Sequence, residues 1–300
     1  MPDSKRFLHP EAISRISRLQ LRARYIVEGF LSGMHRSPYF GQSVEFRQHR
    51  EYAPGDDLRH VDWKVWARQD RLYVKQFEED TNMRCTLLVD VSNSMKYGNG
   101  PLNKYEYAST VAASMAYLIL RQNDAVGSVA FDERIRQIVP VRSKRNHLQA
   151  VIDSMNVSTP ADKTDMLTIM RGVAEKDSRR GMMILISDLL TDVDTMLKGI
   201  RMLRQRGHDV MVFHIMDDDE LDFPFNGPTR FEDMESLASV NCNPRALRDG
   251  YLESLNEFLE DVRHGCAKNQ VEYALIRTSQ SLDAALATYL GNRMGLHTRN

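Results

Sequence analysis

From Arg84 onward, short apolar runs alternate with amphipathic stretches of helical period, and this alternation leaves few folds open to the chain. Cys85 to Val89, Ala125 to Ala130, Arg134 to Val139, Met182 to Ile186, Asp209 to Ile215 and Glu272 to Ile276 read as strands. Lys104 to Arg121, Lys144 to Met155, Met166 to Glu175, Val193 to Arg206, Pro244 to Lys268 and Leu282 to Leu290 carry helical spacing. Strands separated by helices form parallel sheets covered on both faces, which is why such strands are apolar throughout. Only Phe131-Asp-Glu-Arg134 separates the second strand from the third, so that pair is expected as an antiparallel edge hairpin. The expected fold class is α/β: a doubly wound, mostly parallel six-stranded sheet.

Residues 1–80 precede this pattern and are expected to form a smaller N-terminal module of helix plus strand; the α/β domain is expected over 81–300. Ile13, Ile16, Leu19, Ala23, Ile26 and Phe30 recur at helical spacing in one helix starting near Pro10. Arg15, Arg18, Arg22 and Arg24 fall largely off that stripe, as a solvated basic face or a docking surface for an acidic partner. Gly41 to Tyr52 reads as extended. Asp56 or Asp57 can cap a short helix carrying Trp63 and Trp66, and Arg71 to Phe77 reads as a strand. Asp217-Asp-Asp-Glu220 reads most simply as a solvated loop after the fifth strand, or else as a surface that meets a basic partner.

Hydrophobic residues make up 42% of the chain, enough for a sizeable core. Forty basic residues face 41 acidic ones, so a net charge of −1 gives no whole-protein attraction to nucleic acid. Three cysteines without a CxxC pair argue against a zinc ribbon or a disulfide framework and point to a reducing compartment. The longest apolar run, Val111 to Leu120, is about half of the roughly 20 residues needed to span a bilayer. The N-terminus lacks the apolar core of a secretion signal. A cytoplasmic protein with no membrane span is expected.

The first sheet strand opens into Asp90-Val-Ser92-Asn-Ser94. By composition, Asp-x-Ser-x-Ser arises in roughly one chain of this length in fifteen, so its position carries the weight. The fourth strand ends in the same way, at Ser187-Asp188. In a sheet ordered 3-2-1-4-5-6 these two strands are neighbours, and ligands bind in the crevice above their carboxyl ends. Thr164, in the loop Asp162-Lys-Thr-Asp165, can add a third hydroxyl. Oxygen-only ligands suit a hard cation, Mg2+ or Mn2+. Hydroxyl ligands leave such a cation under-neutralised, so a carboxylate from a protein partner can fill an open position.

Asp90-x-Ser92-x-Ser94 with Thr164 and Asp188 resembles the metal-ion-dependent adhesion site of von Willebrand factor A domains. The resemblance implies that Ser92 and Ser94 coordinate directly, Thr164 directly or through water, and the two aspartates often through water. Lys163 stands where members of that family often carry Gly. A narrower resemblance covers nearly the whole chain. Glu45-Phe-Arg47, Tyr52-x-Pro-Gly55-Asp-Asp57-x-Arg59-x-x-Asp62-Trp63, Ala67-Arg68 and Leu221-Asp-Phe-Pro-Phe-x-Gly-Pro-Thr-Arg-Phe231 resemble domain-of-unknown-function family 58. It implies a von Willebrand factor A-like domain that partners a MoxR-type AAA+ ATPase in assembling or maturing other complexes.

Other chemistries fit less well. A dehalogenase-type phosphohydrolase needs a carboxylate two residues after its nucleophilic Asp, where this chain has Ser92. A serine hydrolase needs a nearby base, and Gly-x-Ser-x-Gly is missing. Gly98-Asn-Gly100-Pro-Leu-Asn-Lys104 fails the phosphate-loop spacing and is expected near the metal. The expectation is therefore a non-enzymatic, metal-dependent protein-interaction module. A Mg-dependent hydrolase on the same acidic loop, and a structural protein with a vacant metal site, are the alternatives.

Overall fold

The computed structural model describes residues 10–34, 48–51, 73–76, 83–144, 146–156, 166–176, 179–227, 229–232 and 239–297. By contacts the chain falls into two compact units, Met1–Gly33 with Met83–Asn300, and Met34–Asn82. The first takes in the helical segment that the sequence groups with the N-terminal module. Within the smaller unit, β1 (Gln48–Glu51) pairs antiparallel with β2 (Tyr73–Gln76), Gln48 opposite Gln76. The expected helix bearing Trp63 and Trp66 lies outside the described residues.

The N-terminal stripe forms two helices, α1 (Pro10–Ser14) and α2 (Leu19–Met34), where one is expected. The Arg22 guanidinium accounts for the break, since it donates to the carbonyl oxygens of Ile16 and, at 3.2 Å, Ser14. Those carbonyls would otherwise go unsatisfied at the end of a helix. Ile13, Ala23 and Ile26 of that stripe are buried, Ile16, Leu19 and Phe30 are half-buried, Val27 is buried beside them, and Arg24 stands over the Tyr117 ring.

The larger unit runs β3 (Arg84–Asp90), α3 (Lys104–Arg121), β4 (Ala125–Phe131), β5 (Ile135–Arg142), α4 (His147–Met155), α5 (Met166–Lys176), β6 (Met182–Ser187), α6 (Val193–Gln205) and β7 (Asp209–Met216). A short helix α7 (Asp218–Asp222) and a hairpin, β8 (Thr229–Glu232) with β9 (Ser239–Cys242), follow. Then come α8 (Pro244–Lys268), β10 (Glu272–Arg277) and α9 (Asp283–His297). The six-stranded sheet is ordered β10-β7-β6-β3-β4-β5, parallel except for the β4–β5 hairpin. That is the expected α/β architecture, with the first and fourth strands of the domain, β3 and β6, side by side.

Strand side chains alternate between two cores. Leu88, Met183, Leu185 and Val212 join α5, α6 and α8 on one face. Leu87, Val89, Ile184 and Ile186 are buried on the other, where α3 and α4 pack on the strands. Helix α3 begins where Asn103 and Glu106 form a reciprocal capping box. Its Ala108, Ala112, Ala113 and Ala116 are fully buried, small side chains that permit close approach to the sheet.

Candidate metal centre

In parallel pairing Val89 stands opposite Ile186, so β3 and β6 deliver their carboxyl ends to one edge of the sheet. Asp90 closes β3 and Asp188 follows β6. Beyond Asp90 the Val91 amide still donates to the Phe131 carbonyl, at 2.8 Å. The chain then turns, because the Ser92 amide donates back to Asp90 Oδ1 at 2.9 Å. A 3-10 turn over Ser94–Lys96 follows, pinned by the fully buried Met95. This turn sets Ser92 Oγ and Ser94 Oγ 3.0 Å apart. Asp90, Ser92, Ser94, Ser187 and Asp188 line one cleft with Met166, Leu190 and Thr191. Four of the five residues expected to share a metal therefore meet. The fifth, Thr164, lies outside the described residues.

Asp90 is held from both sides. The Ser187 hydroxyl donates to its Oδ2 at 2.6 Å and itself accepts from the Leu189 amide at 3.0 Å. Burial, then the nearby negative charge of Asp188, pushes the Asp90 carboxyl up to about 7; the hydrogen bonds from Ser187 and Ser92 work the other way. Ser187 occupies a position the sequence does not single out. Its signal is a hydroxyl just before an aspartate at a strand end.

Asp188 is held on three sides. Its Oδ2 accepts from Lys104 Nζ at 2.8 Å, its Oδ1 accepts a long bond from the Leu190 amide at 3.4 Å, and its carbonyl meets His214 Nε2 at 2.9 Å. A carbonyl can only accept, so Nε2 carries the proton. Nδ1 then accepts from the Tyr273 hydroxyl at 2.8 Å. Burial holds the imidazole down to about 4, so it is neutral near pH 7.

Lys104 is fully buried, and its ammonium also reaches Glu220 Oε1 at 2.6 Å. Burial alone would lower its pKa, but Asp188 and Glu220 outweigh burial and hold it above the usual lysine value. Asp217 and Glu220 form the capping box of α7, and Thr278 Oγ1 donates to Asp217 Oδ2 at 2.7 Å. Arg277 bonds Asp218 and Asp222, each at 3.0 Å. The reading of Asp217–Glu220 as a solvated loop is therefore corrected: the segment is a capped, ion-paired helical turn in which Asp217 is 3% exposed. The Asp-x-x-Glu capping spacing was its signal. The Gly98–Lys104 loop packs against the same turn. Asn99 donates to Asp219 at 2.6 Å, and at Gly98 (φ +142°) a Cβ would lie 2.9 Å from Asp217 Oδ2.

The donors facing the cleft are hydroxyl and carboxylate oxygens, a set that suits Mg2+ or Mn2+. Adjacent octahedral ligands about 2.1 Å from Mg2+ stand about 3.0 Å from one another, matching the 3.0 Å between the two serine oxygens. Asp188 and Glu220 share the Lys104 ammonium, while Asp90 is held by the Ser187 hydroxyl and the Ser92 amide. Among the described residues no group of three or more His, Cys, Asp or Glu is placed to hold a metal; this donor set relies on hydroxyls instead.

Residues 48–258 match the family described as "Protein of unknown function DUF58". The chain belongs to that family. This DUF58 protein is similar to the uncharacterized protein Rv1480 of Mycobacterium tuberculosis, 25% identical over 95% of this chain and 90% of that one. It also resembles the uncharacterized protein YeaD of Bacillus subtilis, 25% identical over 36% of this chain and 25% of the relative. Among solved structures, BatB from Bacteroides thetaiotaomicron covers 70% of this chain and 98% of its own at 12% identity (TM-score 0.45). The SpRpn10 VWA domain covers 68% and 94% at 10% identity (TM-score 0.38). Among the described residues of the DUF58 chain, no helix is long and apolar enough to cross a membrane.

Proposed function

We propose that this DUF58 chain is a metal-dependent protein-interaction module and not an enzyme. The reading rests on the convergence of Asp90, Ser92, Ser94 and Asp188 on one cleft above β3 and β6. Ser92 and Ser94 would hold Mg2+ or Mn2+, with Asp90, Asp188 and Thr164 completing the set. When bound, the metal supplies a Lewis-acidic position that accepts a carboxylate oxygen from a protein partner. Ser187 and the Ser92 amide fix the orientation of Asp90, and Leu190, 57% exposed, leaves an apolar rim for the partner.

Among the described residues, the cleft does not carry the catalytic sets of a dehalogenase-type phosphohydrolase or a serine hydrolase. Position 92 is a serine, so the carboxylate that a dehalogenase-type phosphohydrolase carries two residues after its nucleophilic Asp is replaced here by a hydroxyl. No histidine lines the cleft among the described residues, and His214 is buried with both ring nitrogens engaged. The family resemblance supports a MoxR-type AAA+ ATPase as the partner, with this chain acting in the cytoplasm and the ATPase supplying the energy. The Gly98–Lys104 loop, packed against α7, is not arranged as a phosphate loop.

The test is calorimetry and thermal unfolding with Mg2+ and Mn2+, on wild type and Asp90→Ala, followed by capture of a MoxR-type ATPase with and without chelator. The reading requires saturable binding that the variant loses and capture that the chelator abolishes. Metal binding that survives Asp90→Ala refutes it. Hydrolysis of a generic phosphate ester that tracks the metal would turn the assignment to a hydrolase.

A further inference from the structure

We propose that Lys104 is a built-in counter-cation that competes with the bound metal for Asp188 and so sets the metal affinity of the site. The inference rests on the metal reading of the cleft. Lys104 opens α3, where a lysine would ordinarily point to solvent, yet its side chain is fully buried. Its ammonium stands 2.8 Å from Asp188 Oδ2, 2.6 Å from Glu220 Oε1 and 5.8 Å from the centre of the Tyr97 ring. One oxygen of Asp188 is thereby committed to an internal cation, and Oδ1, which among the described residues accepts only the long bond from the Leu190 amide, is the oxygen left for another ligand.

The same contact has two opposed effects. It orients Asp188, and it places a fixed positive charge behind a carboxylate that a metal would use. A unit positive charge about 6 Å from a divalent cation lowers its affinity about tenfold even at the dielectric of bulk water, and partial burial strengthens the effect. The Asp188 backbone is already fixed by the bond between its carbonyl and His214 and by the strand pairing of β6, and the Leu190 amide holds its Oδ1. The charge effect therefore dominates. Glu220 moderates it by drawing the ammonium toward α7, and its own carboxyl is pushed up by burial despite that partner. Affinity is thus tied to the turn Asp217–Asp222, which Thr278, Asn99 and Arg277 hold in place.

Mn2+ affinity, measured by calorimetry on the full chain, separates competition from mere support. Lys104→Met should bind Mn2+ about tenfold more tightly than wild type, or better. Glu220→Gln, which removes the negative charge that offsets the ammonium, should bind it several-fold more weakly. Opposite shifts from two partners of one ion pair are not produced by a loss of packing. Lys104→Met strands two carboxylates; if it fails to fold, Lys104→Met with Glu220→Gln removes one of them and should still exceed wild-type affinity. An unchanged or weaker affinity in the folded lysine variants overturns the inference, as does an unchanged affinity in Glu220→Gln. If wild type binds Mn2+, Asp90→Ala does not, and these variants match wild type, only the role of Lys104 falls. If wild type binds no Mn2+, the metal reading falls and this inference with it.

Discussion

Replacing Asp90 by Asn should stabilise the metal-free protein and abolish its response to metal. The side chain keeps its size, and its remaining oxygen can still accept from the Ser92 amide. It loses the acceptor that Ser187 uses at 2.6 Å, at a cost of about 1–3 kcal/mol. Against this, a carboxyl pushed from 3.8 to about 7 is expensive to ionise in the fold, by about 4 kcal/mol at about 1.4 kcal/mol per pH unit. The folded state holds this proton between pH 4 and 7 while the unfolded state has released it, so wild type loses stability as pH rises through that window. Asn has no proton to lose. At pH 8 without metal, Asp90→Asn should therefore exceed wild type by about 1–3 kcal/mol, or a few degrees in Tm at about 2–4 °C per kcal/mol. The gain should fade and reverse sign as pH falls from 7 to 4. Mg2+ at 100 times its Kd should add about 2.7 kcal/mol to wild type and nothing to the variant. Urea titrations at pH 8 and pH 4.5, with EDTA or Mg2+, read all of these quantities. A variant less stable than wild type at pH 8 in EDTA, with an unchanged pH profile, would refute the electrostatic account of the site.

Three further outcomes follow from the same geometry. Ser187→Ala should lose about 1–3 kcal/mol in denaturant titration with an unchanged slope, because it removes a buried bond to Asp90 and the acceptor of the Leu189 amide; a loss confined to surface-substitution size would count against the proposed hold on Asp90. His214→Leu should cost about 2–4 kcal/mol, since it strands the Asp188 carbonyl and the Tyr273 hydroxyl. Because the folded imidazole sits at about 4, below its ordinary 6.5, wild type should lose about 3 kcal/mol as pH falls from 6.5 to 4 relative to this variant; parallel pH profiles would contradict that. Gly98→Ala, at φ +142° with a Cβ 2.9 Å from Asn103 Cα and Asp217 Oδ2, should lower stability by about 1–3 kcal/mol in thermal unfolding, and an unchanged Tm would show the loop to be free of α7.

The alternation of apolar runs and helical stripes determined the sheet. Strands buried on both faces, such as β3 and β6, must be apolar throughout, and that composition is visible without coordinates. Strand order placed Asp90 and Asp188 together, because chain direction brings both strands' carboxyl ends to one edge. Ser92 and Ser94 came with Asp90, two and four residues away. The N-terminal break between α1 and α2 was not legible, because periodicity records which face is buried and not where Arg22 satisfies the preceding carbonyls.

Tertiary structure alone decided who neutralises the site. Lys104 reaches Asp188 across 84 residues of sequence and Glu220 across 116. A lysine in a first helical turn and a run of acids after a strand each look like solvated surface when read locally. Their pairing arises only when the parallel sheet brings the ends of β3, β6 and β7 to one edge. Burial then removes the water that would otherwise screen those charges, so the partners must satisfy one another. Sequence thus specifies which chemistry reaches that edge of the sheet, and packing specifies the charge balance under which it operates.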